Sequence, residues 1–283
     1  MSYWHIDYQS KYQALTFEVT EVLKSIQSPY QKIEVVETPA YGKVLLLDGD
    51  LMLTEKDEFA YHEMLVHPTM FTHSHPQKIL IIGGGDCGTL TRVLQHKMVE
   101  KVVLVELDEM VTQVSQEYFP QLVSSAQDPR VELIFTDGIK YVHNCTDKYD
   151  VILVDSTDPI GPAEGLFRLP FFQDCYHILE EDGILCLQSE SPWIPELAEL
   201  ISQVNLDLKS LFPLVKAYVA AIQTYQAGLW LFQLASKKYN PLSNDIESKI
   251  KEADLKTKYY NSKLHYGAFI LPTFVNEILN EPL

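Results

Sequence analysis

Cysteine is scarce and scattered. The four present, Cys87, Cys145, Cys175 and Cys186, form no CxxC pair and no Cys/His cluster at zinc spacing. That argues against a zinc site or a disulfide scaffold, and reduced thiols in a cytoplasmic protein are expected. No apolar run approaches the ~20 residues of a membrane-spanning helix. The opening Met1-Ser2-Tyr3-Trp4-His5-Ile6-Asp7 has no basic stretch leading into an apolar core, so no secretory signal is read there. Positive charge is also in short supply. Against 39 Asp+Glu stand only 22 Lys+Arg, a net charge of -17. Such a chain repels phosphate backbones and attracts cations, although acidity can also serve solubility alone. Low-complexity tracts, long linkers and internal repeats are absent. What is left, 46% hydrophobic and 22% charged residues in a chain of 283, has the composition of an ordinary globular protein.

The first 55 residues differ from the rest. Ile33–Glu37 and Lys43–Leu47 predict strands joined by a turn at Thr38-Pro39-Ala40-Tyr41-Gly42. Asp48-Gly49 is a hairpin signal before Leu51-Met52-Leu53. This small antiparallel β domain, residues 1–55, is too small to be stable alone and should pack on its neighbour or on a second subunit. From there to residue 283 the pattern is α/β. Glu58–Phe71 reads as a helix. Strand-like runs at Lys78–Ile82, Lys101–Glu106, Val131–Thr136, Tyr149–Asp155 and Gly183–Gln188 then alternate with helical ones, notably Leu90–His96 and Glu109–Phe119. Alternation of this kind predicts an open parallel sheet, Rossmann-like, with helices on both faces.

Chemistry-bearing residues collect where those strands end. Gly83, Gly85 and Gly88 fit GxGxxG after a buried strand, and Glu106 ends the next strand, placed to accept both hydroxyls of a ribose. Asp86 occupies the place a pyrophosphate would fill and would repel it. It equally disfavours the carboxylate of intact S-adenosylmethionine, yet would welcome an ammonium. Asp137-Gly138 ends the third strand; Asp137 is either a ligand for an adenine amino group or the N-cap of the next helix. Asp155 ends the fourth strand, with Asp158 three residues on and Pro159, Gly161 and Pro162 shaping a loop over the sheet edge. Two acids there suit a polyamine, whose charges are spaced along a thin apolar chain. Gln188, Glu190 and Tyr225 could accept hydrogen bonds from an amine, and Trp193 could line a channel by cation–π contact. Tyr61 and His62 are polar aromatic neighbours on the helix before the first sheet strand.

Taken together these stretches resemble bacterial spermidine synthases over almost the whole chain. The resemblance is carried by Leu47-Asp48-Gly49, Glu55–Met64, Gly83-Gly84-Gly85-Asp86, Asp137-Gly138, Asp155–Pro162, Gly228-Leu229-Trp230 and Thr257-Lys258-Tyr259-Tyr260. It implies a methyltransferase-type Rossmann-like domain with a small N-terminal β domain, in a homodimer or homotetramer. It implies transfer of an aminopropyl group from decarboxylated S-adenosylmethionine, a co-substrate, to putrescine, with no metal or other cofactor and no nucleic-acid or membrane partner. Gln31, Glu106, Asp137, Gly138 and Pro162 would hold the nucleoside. His62, Asp86, Asp155 and Asp158 would face the amines, with Asp155 as general base. Tyr61, Ser156, Thr157, Gln188 and Tyr225 would be further contacts. Two positions depart from the family pattern. Cys87 stands where glycine is usual, and Tyr225-Gln226-Ala227-Gly228 replaces Tyr-Pro-Ser-Gly. On the same fold, a methyltransferase and a polyamine-binding protein without activity are the competing readings. Among aminopropyltransferases, cadaverine, agmatine or spermidine could replace putrescine.

Overall fold

The computed structural model describes residues 2–159 and 161–281, with Gln226 described by its backbone alone. Two antiparallel sheets come first. Strand β1 (Tyr3–Asp7) pairs with β2 (Leu15–Val19). Strands β3 (Glu21–Gln27), β4 (Lys32–Thr38), β5 (Gly42–Leu47) and β6 (Asp50–Thr54) form a four-stranded sheet in chain order. Asp48 and Gly49 turn the last hairpin with φ of 52° and 97°, the pair of positive values a two-residue turn needs to match the strands' twist. Strands β1 to β3 lie outside the sequence-based expectation. Strands β1 and β3 are mostly solvated on both sides, so no apolar face marks them, whereas β2 buries alternate residues, Phe17 and Val19, with Leu15 partly covered.

Helix α1 (Glu58–Thr72) then leads into the main domain: β7 (Lys78–Gly83), α2 (Gly88–Val93), β8 (Lys101–Glu106), α3 (Glu109–Tyr118), α4 (Pro120–Val123), β9 (Val131–Phe135), α5 (Gly138–Asn144), β10 (Tyr149–Asp155), α6 (Leu169–Ile178), β11 (Leu179–Gln188), α7 (Pro195–Leu211), β12 (Leu214–Ala221) and β13 (Leu229–Ser236). Three short helices close the chain, α8 (Ile246–Ala253), α9 (Ser262–Ala268) and α10 (Thr273–Ile278). The seven-stranded sheet runs β12-β13-β11-β10-β7-β8-β9. Strands β9, β8, β7, β10 and β11 are parallel, as expected, while β13 runs antiparallel between β11 and β12. Only the short segment 222–228 joins β12 to β13. That suffices for a hairpin but not for the crossover of a dozen or more residues that parallel neighbours require.

Residues of each buried strand alternate between two cores. Ile79 and Ile81 face α1, α2, α8 and α9, while Leu80 and Ile82 face α5, α6 and α7. The β domain docks through Ile33, Val35, Leu45 and Leu53 onto Val111 and Val114 of α3 and onto Phe119 and Leu122. Helix α1 is buried nearly all round. Its Glu63 carboxylate accepts the backbone N–H groups of Lys258, Tyr259 and Tyr260 at 2.8–2.9 Å, which fixes the C-terminal segment over it. Tyr61 and His62 are thereby held rigidly beneath the sheet edge.

Candidate active site

The ends of the neighbouring parallel strands β7 and β10 come very close together, where the loop after β7 crosses the end of β10. Gly83 has φ +80°, and a Cβ there would lie 2.1 Å from the Asp155 carbonyl oxygen. The N–H of Gly84 donates to that same oxygen at 2.9 Å. Only glycine lets the first loop and the end of β10 approach this closely. Cys87 also has a positive φ, 65°, a conformation that glycine adopts without cost. Its side chain points into the core, away from the cavity. Burial, then Asp86, push its thiol up to about 12, so it is unreactive at neutral pH.

A cavity of about 1200 Å³ lies over this crossing, above the usual range for a single small ligand. Most residues singled out from the sequence line it: Gln31, Tyr61, His62, Asp86, Glu106, Asp137, Gly138, Asp155, Ser156, Thr157, Asp158, Pro162, Gln188 and Tyr225. Ile160 of the covering loop lies outside the described residues.

At the centre, Asp155 receives two hydroxyl hydrogen bonds. Tyr61 Oη donates to Oδ1 at 2.7 Å and Thr89 Oγ1 to Oδ2 at 2.7 Å. Each oxygen keeps a lone pair for a further donor. Burial and the neighbouring Asp155 carboxylate push Tyr61 well above the usual phenol range, so it remains a donor. Asp86 is pushed up by burial and by Asp155, against the pull of His62.

On one side lie the groups suited to a nucleoside. Glu106 is half-buried, and loss of solvent around it pushes its carboxyl up to about 7, against the stabilising Asp108 N–H that donates to Oε1 at 2.8 Å. Asp108 caps α3 through Met110 N and also accepts Ser28 Oγ at 2.6 Å and Gln31 Nε2 at 3.1 Å. Gln31, from the β domain, is therefore aligned with the end of β8. Asp137 does cap α5: Oδ1 accepts the N–H groups of Ile139 and Lys140 at 2.9 and 3.3 Å. Its carboxylate lines the cavity as well, so cap and ligand group are compatible.

On the other side the wall is aromatic and acidic. The Tyr61 and Tyr225 rings lie 5.3 Å apart, and Trp230 meets Tyr225 at 4.8 Å. The Tyr225 hydroxyl donates to Met52 O at 2.7 Å, so it offers the cavity its ring and an oxygen lone pair. Asp57, just before α1, holds the turn carrying Tyr225 by accepting both Thr224 N and Oγ1. Gln188 Nε2 donates to Ser156 O at 3.2 Å and to Glu190 Oε1 at 3.1 Å, and its oxygen accepts Glu190 N. It supports the loop after β10 from below. Glu190 is not in the cavity wall, and Trp193 is 54% exposed, with its ring tilted against that of Phe274. Trp230 takes the place on the wall expected of Trp193.

Three residues of the site were not anticipated. Thr89, buried, bonds Asp155. Asp7 and Asp50, from the β domain, line the cavity. Burial and Asp50, with a further push from Asp158, hold Asp7 up to about 7. A cationic group would relieve this cluster. Among the described residues no group of His, Cys, Asp and Glu side chains is arranged to hold a metal, and no helix is long and apolar enough to cross a membrane.

Residues 58–246 match the spermine/spermidine synthase domain, and residues 3–55 match the spermidine synthase tetramerisation domain. The chain belongs to the spermine/spermidine synthase family. It is an aminopropyltransferase. A polyamine aminopropyltransferase from Thermoanaerobacter sp. (strain X514) is 46% identical over 281 residues, covering 99% of this chain and 100% of that one. Another, from Clostridium perfringens (strain ATCC 13124), is 45% identical over 279 residues, covering 99% and 98%. A crystal structure of spermidine synthase in complex with the transition-state analogue AdoDATO superposes with a TM-score of 0.95 at 38% identity, over 98% of this chain and 95% of that one. The spermidine synthase from Thermotoga maritima gives 0.91 at 37%, over 99% and 95%.

Proposed function

We propose that this enzyme is a spermidine synthase: it transfers the aminopropyl group of decarboxylated S-adenosylmethionine to putrescine, releasing spermidine and methylthioadenosine. The observation that carries this reading is the position of Asp155. Its carboxylate stands between a nucleoside-like half (Glu106, Asp137) and an aromatic, acid-ended channel (Tyr225, Trp230, Asp7) within one cavity. A relative of known structure at 38% identity binds a transition-state analogue, which supports a two-substrate cavity here.

In this reading Glu106 accepts the ribose hydroxyls with Gln31 beside it, and Asp137 accepts the adenine amino group. Gly138 and Pro162 flank the base. Asp86 takes the ammonium of the donor's aminopropyl arm. Putrescine lies along Tyr61 and Tyr225, with Asp158, Gln188 and the carbonyls of Ser156 and Thr157 around its reacting nitrogen. The donor sulfonium leaves as a neutral thioether and needs no acid. The acceptor is an ammonium with a pKa near ~10.4 and has no lone pair at neutral pH. As the new C–N bond forms and the C–S bond breaks, Asp155 takes the proton from that nitrogen. The cavity is formed within one chain. Residues 3–55 also present exposed Trp4 (66%) and Ile6 (46%), which supports a homodimer or homotetramer built on this domain. The activity is that of a cytoplasmic enzyme needing no metal.

A panel of diamines tests the reading. Incubation with decarboxylated S-adenosylmethionine should give the fastest product formation with putrescine, and mass analysis should find spermidine and methylthioadenosine in equal amounts. Faster transfer to agmatine, cadaverine or spermidine would replace the acceptor while keeping the reaction. Transfer of a methyl group would remove the reaction itself.

Asp7 supplies a second test, at the far ammonium of the diamine. Its carboxyl holds a proton up to about pH 7 when no cation is bound. Cation binding favours the ionised form, so protons are released on binding and diamine KM should fall as pH rises through 7. The sign for stability is opposite. Between the ordinary carboxylate range and pH 7 the folded state binds more protons than the unfolded, so the unliganded protein loses stability as pH rises. Asp7→Asn should raise diamine KM roughly tenfold, flatten its pH dependence, and stabilise the unliganded protein at pH 8 by at least about 1 kcal/mol. Steady-state kinetics and thermal unfolding check both; an unchanged KM would take Asp7 out of the acceptor site.

A further inference from the structure

Arg92 and Glu58, behind the glycine loop, have no part in the chemistry above, and they reach the cavity only through His62 on its wall. Arg92 lies on α2; Glu58 opens α1 and His62 follows one turn later, close enough to pair with it. Arg92 Nη2 donates to both Glu58 oxygens at 2.8 Å. Glu58 Oε2 is 2.8 Å from His62 Nδ1, and the other ring nitrogen, Nε2, lies 3.4 Å from Asp86 Oδ1. Charges therefore alternate in sign along a chain ending on Asp86. The side chains of Arg92, Glu58 and His62 are 10%, 12% and 4% exposed. The ring of His62 fits because residue 88 is glycine: a Cβ there would lie 2.0 Å from His62 Cε1.

Buried charges are a weak device for stability, since apolar replacements of equal volume commonly do as well. A chain of four invites a functional reason, and its end point supplies one. Both neighbours of Asp86 converge on a single oxygen. Oδ1 faces His62 and accepts Gly88 N–H at 2.6 Å. Among the described residues no hydrogen bond reaches Oδ2, which is left to the cavity.

We propose that Arg92, Glu58 and His62 are positioning residues, a buried relay that keeps Asp86 an aimed carboxylate and so lets the enzyme grip the ammonium of its donor. This rests on the assignment of Asp86 to that ammonium. The charged and titratable groups facing His62 are Glu58 and Tyr61 on α1, Asp86 on the loop, Arg92 on α2 and Asp155 on β10. Burial would discharge His62, but Asp86 and Glu58 outweigh it and hold its pKa above the ordinary value. His62 in turn opposes the burial and the Asp155 charge that drive Asp86 towards its neutral form.

The test is Glu58→Gln in the full-length enzyme. Donor KM should rise about tenfold at neutral pH, as for a one-unit shift in the carboxylate it grips. It should return towards the wild-type value as pH rises, with kcat less affected. Affinity for methylthioadenosine, which lacks the aminopropyl arm, should stay unchanged. In an Asp86→Asn background the same substitution should add nothing to donor KM. His62→Gln removes the charge while leaving the Arg92–Glu58 pair intact, and should act in the same direction even if Glu58→Gln folds poorly. Equal losses of donor and methylthioadenosine affinity, or additive effects with Asp86→Asn, would overturn the relay. An unchanged donor KM in Asp86→Asn alone would remove the donor assignment and the relay with it. A raised KM there, with unchanged values in Glu58→Gln and His62→Gln, would remove the relay alone.

Discussion

Asp155→Asn is expected to lower kcat by about 100- to 10,000-fold, the usual span for loss of a positioned base, while donor affinity is retained. Asparagine keeps the shape and can still accept from Tyr61 through its oxygen. It replaces the other oxygen, which accepts from Thr89, with an NH2 group that cannot accept a proton. Rate is then limited by the small fraction of acceptor already neutral. The nucleoside groups, Glu106 and Asp137, belong to other strands and are untouched, so methylthioadenosine should bind as in the wild type. Calorimetry for the product and steady-state turnover for the reaction separate the two effects. Near-normal turnover would move the base elsewhere.

The second large effect is expected at Asp86. Asp86→Asn removes the carboxylate assigned to the ammonium of the aminopropyl arm. Truncating one partner of a buried charge pair costs on the order of 2–5 kcal/mol, so donor KM should rise roughly 30-fold or more. Intact S-adenosylmethionine carries a carboxylate beside its ammonium, which Asp86 repels, so its affinity should hold or improve. The ratio of the two affinities, read by calorimetry, should therefore fall steeply. An unchanged ratio would show that donor choice is made elsewhere in the cavity.

The parts of this molecule that were legible in its sequence share a physical reason. Strands β7, β8, β10 and β11 are buried on both faces, so they read as continuous apolar runs. Glu106 and Asp155 stand out as acids closing such runs. The Asp48-Gly49 turn is marked by a dipeptide with few other uses. Strands β1 and β3 carry no such mark because solvent covers much of both their faces, and β2 offers only the brief alternation of Leu15, Phe17 and Val19. Asp7 went with them, since an acid in an exposed strand has an ordinary explanation. Thr89 is a hydroxyl in the first turn of a helix, and nothing local distinguishes it from a capping residue; only the pairing of β7 with β10 brings it to Asp155. Trp193 and Trp230 show the limit plainly. The first follows a site glutamine and the second sits within β13, yet folding sends the first to the surface and the second to the wall. Glu58 and Arg92 lie 34 residues apart and are joined only because α1 and α2 pack together. The reversal of β13 depends on the short turn before it, whose role as a hairpin is visible only once both flanking strands are known.

The most direct test of Asp155 as base is the pH dependence of a single turnover, with donor bound in advance and putrescine then added to wild-type and Asp155→Asn enzyme. If Asp155 removes the proton, the variant depends on amine that is already neutral. Its rate should climb about tenfold per pH unit towards the amine's own pKa near ~10.4, closing on the wild-type rate, which should be nearly flat over the alkaline part of that range. A variant rate that is reduced by the same factor at every pH would contradict the account, and would leave Asp155 a residue that only places the amine.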